Sequence, residues 1–130
     1  MGVQPGKLLA GVRERLIAHA VHERALSAPL PDGHSEREHL QAAARNPGPA
    51  GAIARERLRG PGLPPEVAYL WDWFLELDSA RTSNGFGLNP IGYTELAAWA
   101  ALTGRSPLPW EVRWLMALDR ARLAEPKGRR

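Results

Sequence analysis

The stretch that decides the fold is "GYTELAAWAALTGRSPLPWEVRWLMALDRARL", residues 92–123. Its apolar residues recur every three or four positions, which predicts two helices with a turn between them. Gly104 closes the first helix, and "SPLP" turns the chain before the second begins. Because the stretch holds three tryptophans, the pair could be a DNA-reading helix-turn-helix, the core of a small bundle, or a face that binds another protein.

The second of these helices is apolar on two sides. Val112 and Leu115 lie on one face, while Trp110, Trp114 and Leu118 follow one another at steps of four on nearly the opposite face. Such a helix is either sandwiched between neighbours or half exposed to a partner. We assign Val112 and Leu115 to the core, and we expect Trp110, Trp114 and Leu118 to contact a partner.

An earlier segment, "PPEVAYLWDWFLELDSAR" (residues 64–81), predicts a further helix that opens on prolines, which a first helical turn tolerates. In helical projection Trp73 falls outside the apolar arc, beside Tyr69, and becomes a fourth candidate for partner contact. The core residues predicted for this helix and for the helix that begins near residue 93 are Leu70, Trp71, Phe74, Leu96 and Trp99.

One acidic side chain, Asp119, projects into the apolar face of the last helix. A buried carboxylate needs hydrogen-bond partners. We therefore expect Asp119 to cap a neighbouring helix or to pair with an arginine such as Arg81, rather than to act in catalysis.

The N-terminal half predicts shorter and more polar helices. "KLLAGVRERLIAHAVHERAL" (residues 7–26) has an amphipathic helical pattern. In "SEREHLQAAAR", Ser35 and Glu38 form a capping-box pattern that starts a second helix. "NPGPAG" (residues 46–51) ends that helix, and "AIARERLR" (residues 52–59) suggests a short third one before the break at "GPGLPP".

Together these patterns predict an all-α protein, a small bundle of five or six short helices with proline- and glycine-rich connections. We divide it into an N-terminal amphipathic helix and turn (residues 1–33), a linker region with short helices (34–62), a compact helical domain (63–124) and a basic tail (125–130). The N-terminal helices are expected to pack loosely on the compact domain or to extend away from it.

Composition excludes several classes of protein. The 130 residues include no cysteine, and no apolar run is long enough to cross a membrane. The N-terminus lacks the pattern of a secretory signal. Residues 61–130 carry eight basic and eight acidic residues, so the half with most of the apolar residues lacks the concentrated basic face that is typical of duplex binding.

No group of residues argues for catalysis, a metal or a cofactor. The histidines, His19, His22, His34 and His39, lack cysteine partners and flank a proline-rich turn, which favours surface histidines over a zinc site. No serine lies in a G-x-S-x-G motif, and "GFGLNP" lacks both the third glycine and the preceding strand of a phosphate-binding loop. We expect no enzymatic activity.

Sequence-specific DNA binding is also disfavoured. The reading helix of a helix-turn-helix needs polar side chains at its N-terminal end. Here that end offers Pro109, Trp110, Glu111 and Val112, of which the first two read bases poorly and Glu111 would repel phosphate.

Several motifs, taken in order, resemble the small tail assembly chaperones and associated tail-region proteins of long-tailed bacteriophages and prophages. The match runs over residues 35–123 and is best from residue 63. The motifs that carry it are Leu70-Trp71-x-Trp73-Phe74, Arg81, Pro90-Ile91-x-Tyr93-x-Glu95-Leu96, Trp99, Leu102-Thr103-Gly104, Trp110-Glu111-Val112 and Leu118-Asp119.

The resemblance implies a function in tail assembly, without enzymatic activity or a cofactor, in the cytoplasm of the host bacterium. It implies binding to tail tube subunits and to the tape measure protein before the tail polymerises. Two alternatives stay open: a small helix-turn-helix nucleic-acid-binding protein, and a structural subunit that remains in the finished tail. The oligomeric state is open.

Overall fold

The structure, a computed structural model, describes residues 9–124. Within that range the prediction of an all-α fold is confirmed, because the chain forms helices and, instead of strands, two isolated bridges. None of the helices there is long and apolar enough to span a membrane. The predicted basic tail, residues 125–130, and the first eight residues lie outside the described range. The helices are α1 (Ala10–Ser27), α2 (Glu36–Ala43), α3 (Pro49–Arg59), α4 (Ala68–Ser79), α5 (Tyr93–Thr103) and α6 (Pro109–Leu123), and a short 3-10 turn, Pro65–Val67, precedes α4.

The helix ends follow the local signals of the sequence. The capping box of α2 is confirmed: the Ser35 hydroxyl accepts from the Glu38 N–H at 3.2 Å, and Glu38 accepts from the Ser35 N–H at 3.1 Å. Gly104 ends α5 with φ of +72°, a conformation that favours glycine. Two boundaries differ from the prediction. The prolines predicted to open the helix of residues 64–81 form the separate 3-10 turn Pro65–Val67, and α4 begins only at Ala68. Helix α3 already begins at Pro49, inside the segment predicted to be a break. Proline fits there because the first helical turn needs no N–H donor.

The hydrophobic core lies between α1, α4 and α6, with Leu96 of α5 and Ile91 of the preceding loop at its edge. The predicted core residues Leu70, Phe74, Leu96 and Leu115 are all buried. Val112 is half-buried and packs against the core from outside. The most deeply buried large side chains are Leu16, Leu26, Pro64, Val67, Leu70, Phe74, Leu115 and Leu118.

The N-terminal helix is part of this core, so the prediction that it packs loosely or extends away is wrong for α1. Val12, Leu16 and Ala20 recur at steps of four on one face of α1 and are buried in the same cluster as the residues of α4 and α6. Amphipathic periodicity was the right signal for a helix, but it does not tell which other element the apolar face will cover.

Helices α2 and α3 pack against each other beside α1. Arg57 on α3 makes a bidentate ion pair with Glu36 on α2, and Arg37 pairs with Glu23 on α1. The end of α3 lies very close to α1, since a Cβ atom on Gly60 would fall 2.2 Å from the His22 ring. Gly60 also has a positive φ of +50°, so only glycine fits this close approach without strain.

A buried ion pair joins the end of α4 to α6. The Arg81 side chain, 3% exposed, donates to Asp119 Oδ1 at 2.5 Å, and it also bonds Asp78 and the carbonyl oxygen of Asn89. The second oxygen of Asp119 accepts from the Ile91 N–H at 2.9 Å. The predicted pairing of Asp119 with Arg81 is confirmed, and it fixes both ends of the loop between α4 and α5.

Candidate partner-binding surface

The second apolar face of α6 is not exposed, which corrects the expectation for Trp110, Trp114 and Leu118. Their exposed fractions are 8%, 6% and 0%. All three lie in the main core, and the two indole rings meet edge to face at 5.0 Å. The physical reason is that α1 packs along α6 and completes the core on that side. A helix that is apolar on both sides is either sandwiched between neighbours or half exposed to a partner, and α6 is sandwiched.

The other three tryptophans are half-buried and line the edge of the core. Trp71, predicted to be central, instead contacts the His19 ring edge to face at 4.8 Å and lies 5.7 Å from the Phe74 ring. Trp99, also predicted to be central, meets Trp73 at 5.5 Å. The helical projection placed Trp71 and Trp99 too deep, because it describes positions around a single helix and does not include the gaps between helices.

Tyr69, Trp73 and Trp99 form one continuous cluster, which we call the aromatic surface. Tyr69 and Trp73 are one turn apart on α4, with ring centroids 5.1 Å apart, and Trp99 of α5 contacts Trp73. This confirms that Tyr69 and Trp73 are neighbours outside the main apolar arc. Aromatic rings in edge contact stabilise one another, and here each ring also keeps part of its face accessible.

A charged pair borders the aromatic surface. The Arg105 guanidinium lies 5.8 Å from the Trp73 ring centre and 5.4 Å from that of Trp99, within the range of cation–π attraction. Glu76 holds that guanidinium through two hydrogen bonds, 2.8 and 3.2 Å long, and accepts the indole N–H of Trp99 at 3.0 Å. The two indole rings are therefore held in place before any partner arrives.

The aromatic surface is tied to the interior through a hydroxyl group. Tyr69 donates to Glu111 Oε2 at 2.5 Å, and Glu111 Oε1 accepts from the Leu108 N–H at 2.7 Å at the start of α6. Burial, followed by the hydrogen bond and charge of Glu111, raises the pKa of Tyr69 above its usual value. The phenol therefore stays neutral and donating even at a pH where a free tyrosine would ionise.

A groove opens next to the aromatic surface, with a volume of about 390 Å³. The residues that line it include Leu77 of α4, Pro90 and Ile91 of the loop before α5, and Trp99 and Leu102 of α5. Leu102 is 87% exposed. We call this feature the α5 groove.

The position of α6 argues against the helix-turn-helix alternative. A recognition helix presents its N-terminal turn to base edges, whereas Trp110 and Glu111 in that turn are buried. The helix could not enter a major groove without leaving the core.

The histidines do not converge on a metal. In the described part of the chain no three metal-binding side chains lie together. His34 and His39 are exposed and bond Glu38 and Asp32, respectively. The expectation of surface histidines is wrong for His22, which is buried beneath Gly60 with its Nε2 atom unpaired.

The family model for phage tail assembly chaperones matches residues 49–124, more than half of the chain. The chain belongs to the phage tail assembly chaperone family. No curated protein and no solved structure matches it. The part of this chaperone that matches holds α3 to α6, and with them the whole aromatic surface and the α5 groove, while α1 and α2 precede it.

Sequence reasoning identified Trp73 but missed the rest of the chaperone's exposed apolar surface. Trp99 was assigned to the core, and Arg105 was not assigned to any surface. The sequence did contain one signal for Arg105, namely Gly104, which ends α5 in the left-handed conformation. After such an ending the chain turns back, so the next residue lies against the last turn of the helix. The Arg105 N–H indeed donates to the Ala100 carbonyl at 2.8 Å.

Proposed function

We propose that this tail assembly chaperone binds the tail tube subunit, the tape measure protein or both in the host cytoplasm before the tail polymerises. The observation that carries the proposal is the aromatic surface, which lies inside the region that matches the family. The role is one of binding, and it requires neither a cofactor nor a catalytic residue.

The occupant that we propose for the aromatic surface is an amphipathic helix of a tail protein. A tape measure protein that is helical and apolar along one face would aggregate if that face stayed uncovered. Tryptophan and tyrosine provide large contact areas and are enriched among the residues that dominate binding energy. An amphipathic helix binds by placing such an apolar stripe against a groove or a cluster of this kind.

Preorganisation supports the same proposal. Trp73 and Trp99 are immobilised by Arg105, Glu76 and Tyr69, so little side-chain entropy remains to be lost when a helix docks. The charged groups at the border form a neutral pair, which leaves no uncompensated charge to be buried under an apolar helix.

The test is co-expression of the tagged chaperone with the tail tube subunit and, separately, with the tape measure protein, followed by pull-down. We expect the wild-type chain to capture at least one of them. The Trp73→Ser variant should lose at least tenfold in affinity, as is typical of an interface hot spot. Tyr93→Ser is the matched control, because Tyr93 is 69% exposed and lies outside the aromatic surface.

Far-UV circular dichroism of each variant separates loss of binding from loss of fold. A folded Trp73→Ser variant that captures its partner at wild-type yield would remove the aromatic surface from the mechanism. Capture of neither tail protein by the wild-type chain would contradict the proposed partners. A chain that remains in purified, finished tails would instead support the structural-subunit alternative.

A further inference from the structure

Helix α5 is largely exposed although it is apolar on every side. It carries one charged side chain, Glu95, and Leu96 is the one buried residue of this fully described helix. A helix that is apolar all round is normally enclosed by its neighbours, whereas α5 packs mainly against α4 in the described part of the chain. Its other apolar side chains, the exposed Leu102 among them, therefore lack such cover.

One face of α5 joins the two apolar features described above. Ala98, Trp99 and Leu102 all line the α5 groove. Trp99 also belongs to the aromatic surface through its contact with Trp73. The aromatic surface and the α5 groove are therefore continuous, with Trp99 shared between them, and a partner that covers the rings reaches the edge of the groove.

The uncompensated charge on α4 and α5 is negative. These two helices contain no basic residue, and their acidic residues are Asp72, Glu76, Asp78 and Glu95. Arginines from outside the two helices pair with the second and third of these. Asp72 and Glu95 are exposed, and no cationic side chain in the described range pairs with either. Arg81 also lines the groove, but its side chain is buried and already ion-paired.

We propose that the tail-protein helix that docks on the aromatic surface continues across α5 and carries basic residues beside its apolar stripe. One apolar side chain of that helix covers Trp73 and Trp99, and another, three or four positions along, fills the α5 groove. Lysine or arginine side chains of the same helix lie near Asp72 and Glu95. The inference rests on the proposed function, because it concerns the same docked helix, and it adds the chemistry of that helix.

The dimensions fit this arrangement. Side chains three or four positions apart on a helix are neighbours, about 5–6 Å apart, and Trp99 and Leu102 have the same spacing on α5. A cavity of roughly 150 Å³ holds a benzene ring, so a groove of about 390 Å³ has room for a leucine, methionine or phenylalanine side chain.

The positions of the unpaired carboxylates favour a basic partner. Asp72 follows Tyr69 by three positions on α4, so it borders the aromatic surface, and Glu95 lines the α5 groove. Exposed ion pairs add little affinity, but charge complementarity excludes partners of the wrong sign. An acidic helix with the same apolar stripe would meet like charge at both positions.

A matched pair of variants on α5 tests the contact in the groove. Leu102 and Tyr93 are both exposed, and they are two and a half turns apart, on opposite faces of the helix. The probe is the tail tube subunit or the tape measure protein, whichever the wild-type chain captures. Leu102→Ser should weaken its binding at least about fivefold, whereas Tyr93→Ser should bind like the wild type. Both should keep the wild-type helical spectrum.

The charge of the partner is tested separately. Asp72→Asn combined with Glu95→Gln removes both charges, and glutamine keeps an oxygen that can accept from the Gly92 N–H. Between about 0.1 and 1 M sodium chloride, where the Debye length falls from about 10 to 3 Å, the affinity of the wild-type chain should fall more steeply than that of the double variant. Glu14→Gln, at an exposed carboxylate on α1, should keep the wild-type salt dependence.

Cross-linking identifies the segment that lies in the groove. The chain has no cysteine, so Leu102→Cys can carry a single photoreactive benzophenone, with Tyr93→Cys as the control. We expect the label at position 102, and not that at position 93, to link to a helical segment with lysine or arginine beside its apolar stripe.

The outcomes separate this inference from the proposed function. If Trp73→Ser loses capture while Leu102→Ser binds like the wild type, the aromatic surface remains the binding site and the extension across α5 is wrong. A cross-linked segment that is acidic, or a double variant with the wild-type affinity and salt dependence, would overturn the basic partner. Failure of the wild-type chain to capture either tail protein would overturn the proposed function and this inference with it.

Discussion

The chain places its tryptophans in two different environments. Trp110 and Trp114 on α6 are buried where α1 packs on α6. Trp73 on α4 and Trp99 on α5 are only half-buried. Both pairs meet edge to face at similar distances, 5.0 and 5.5 Å. The difference arises from what covers them, because α1 packs along α6 and the aromatic surface has no such cover in the described part of the chain. Burial of a tryptophan in this small bundle is therefore decided by a helix that is distant in sequence.

The largest expected effect comes from removing the buried pair. Trp110→Ser together with Trp114→Ser should unfold the protein. Each large-to-small change in a core costs about 3–5 kcal/mol, and domains of this size are stable by only about 5–15 kcal/mol. Far-UV circular dichroism and urea denaturation measure the outcome, with the exposed pair Ile53→Ser and Tyr93→Ser as control. A helical double variant with the wild-type midpoint would mean that α1 does not cover α6.

A smaller loss is expected at the aromatic surface. Trp73→Ala and Trp99→Ala should each lower the free energy of unfolding by about 1–2 kcal/mol, because the rings are half-buried and lose edge contacts worth about 0.5–1.5 kcal/mol. Trp99→Ala should cost more, since it also removes the N–H that Glu76 accepts. Chemical denaturation of both variants beside Trp114→Ala checks the order. Equal losses at Trp73 and Trp114 would erase the distinction between the two environments.

Local sequence signals predicted much of the fold. The capping box at Ser35, the αL glycine at 104 and the 3-10 turn Pro65–Val67 that leads into α4 each depend on a few adjacent residues. The pairing of Asp119 with Arg81 crosses 38 positions, yet it was predictable because a carboxylate on an apolar face must find a hydrogen-bonding partner. Because a buried carboxylate must be paired, only a few arginines were possible partners for Asp119.

The candidate site was less predictable because it depends on long-range packing. Hydrophobic periodicity shows that α6 has two apolar faces, but it does not show that Val12 and Leu16 come from the other end of the chain to pack in the same core. Likewise, the position of Arg105 over Trp73 requires the relative placement of α4 and α5. Trp73 and Tyr69 were identified correctly as neighbours outside the main arc, since that property belongs to a single helix.

The smallest expected effect concerns the link between the two environments. The ring of Tyr69 contacts Trp73, and its hydroxyl bonds Glu111 at the start of α6, beside Trp110. Tyr69→Phe should therefore cost about 1 kcal/mol at neutral pH, the usual net worth of one hydrogen bond. It leaves the aromatic ring in place, so capture of a tail protein should change less than in Trp73→Ser.

The same hydroxyl predicts a pH dependence. Because the pKa of Tyr69 is raised in the folded state, the unfolded chain loses this proton near pH 10.0 while the folded chain retains it. The unfolded state then binds fewer protons, so the free energy of unfolding must fall as pH rises above 10. Urea denaturation between about pH 8 and 11 should show that fall, and Tyr69→Phe should make it shallower, while Tyr93→Phe should not. If Tyr69→Phe and the wild type decline in parallel, the Glu111 bond does not connect the aromatic surface to α6, and the two groups of tryptophans are energetically independent.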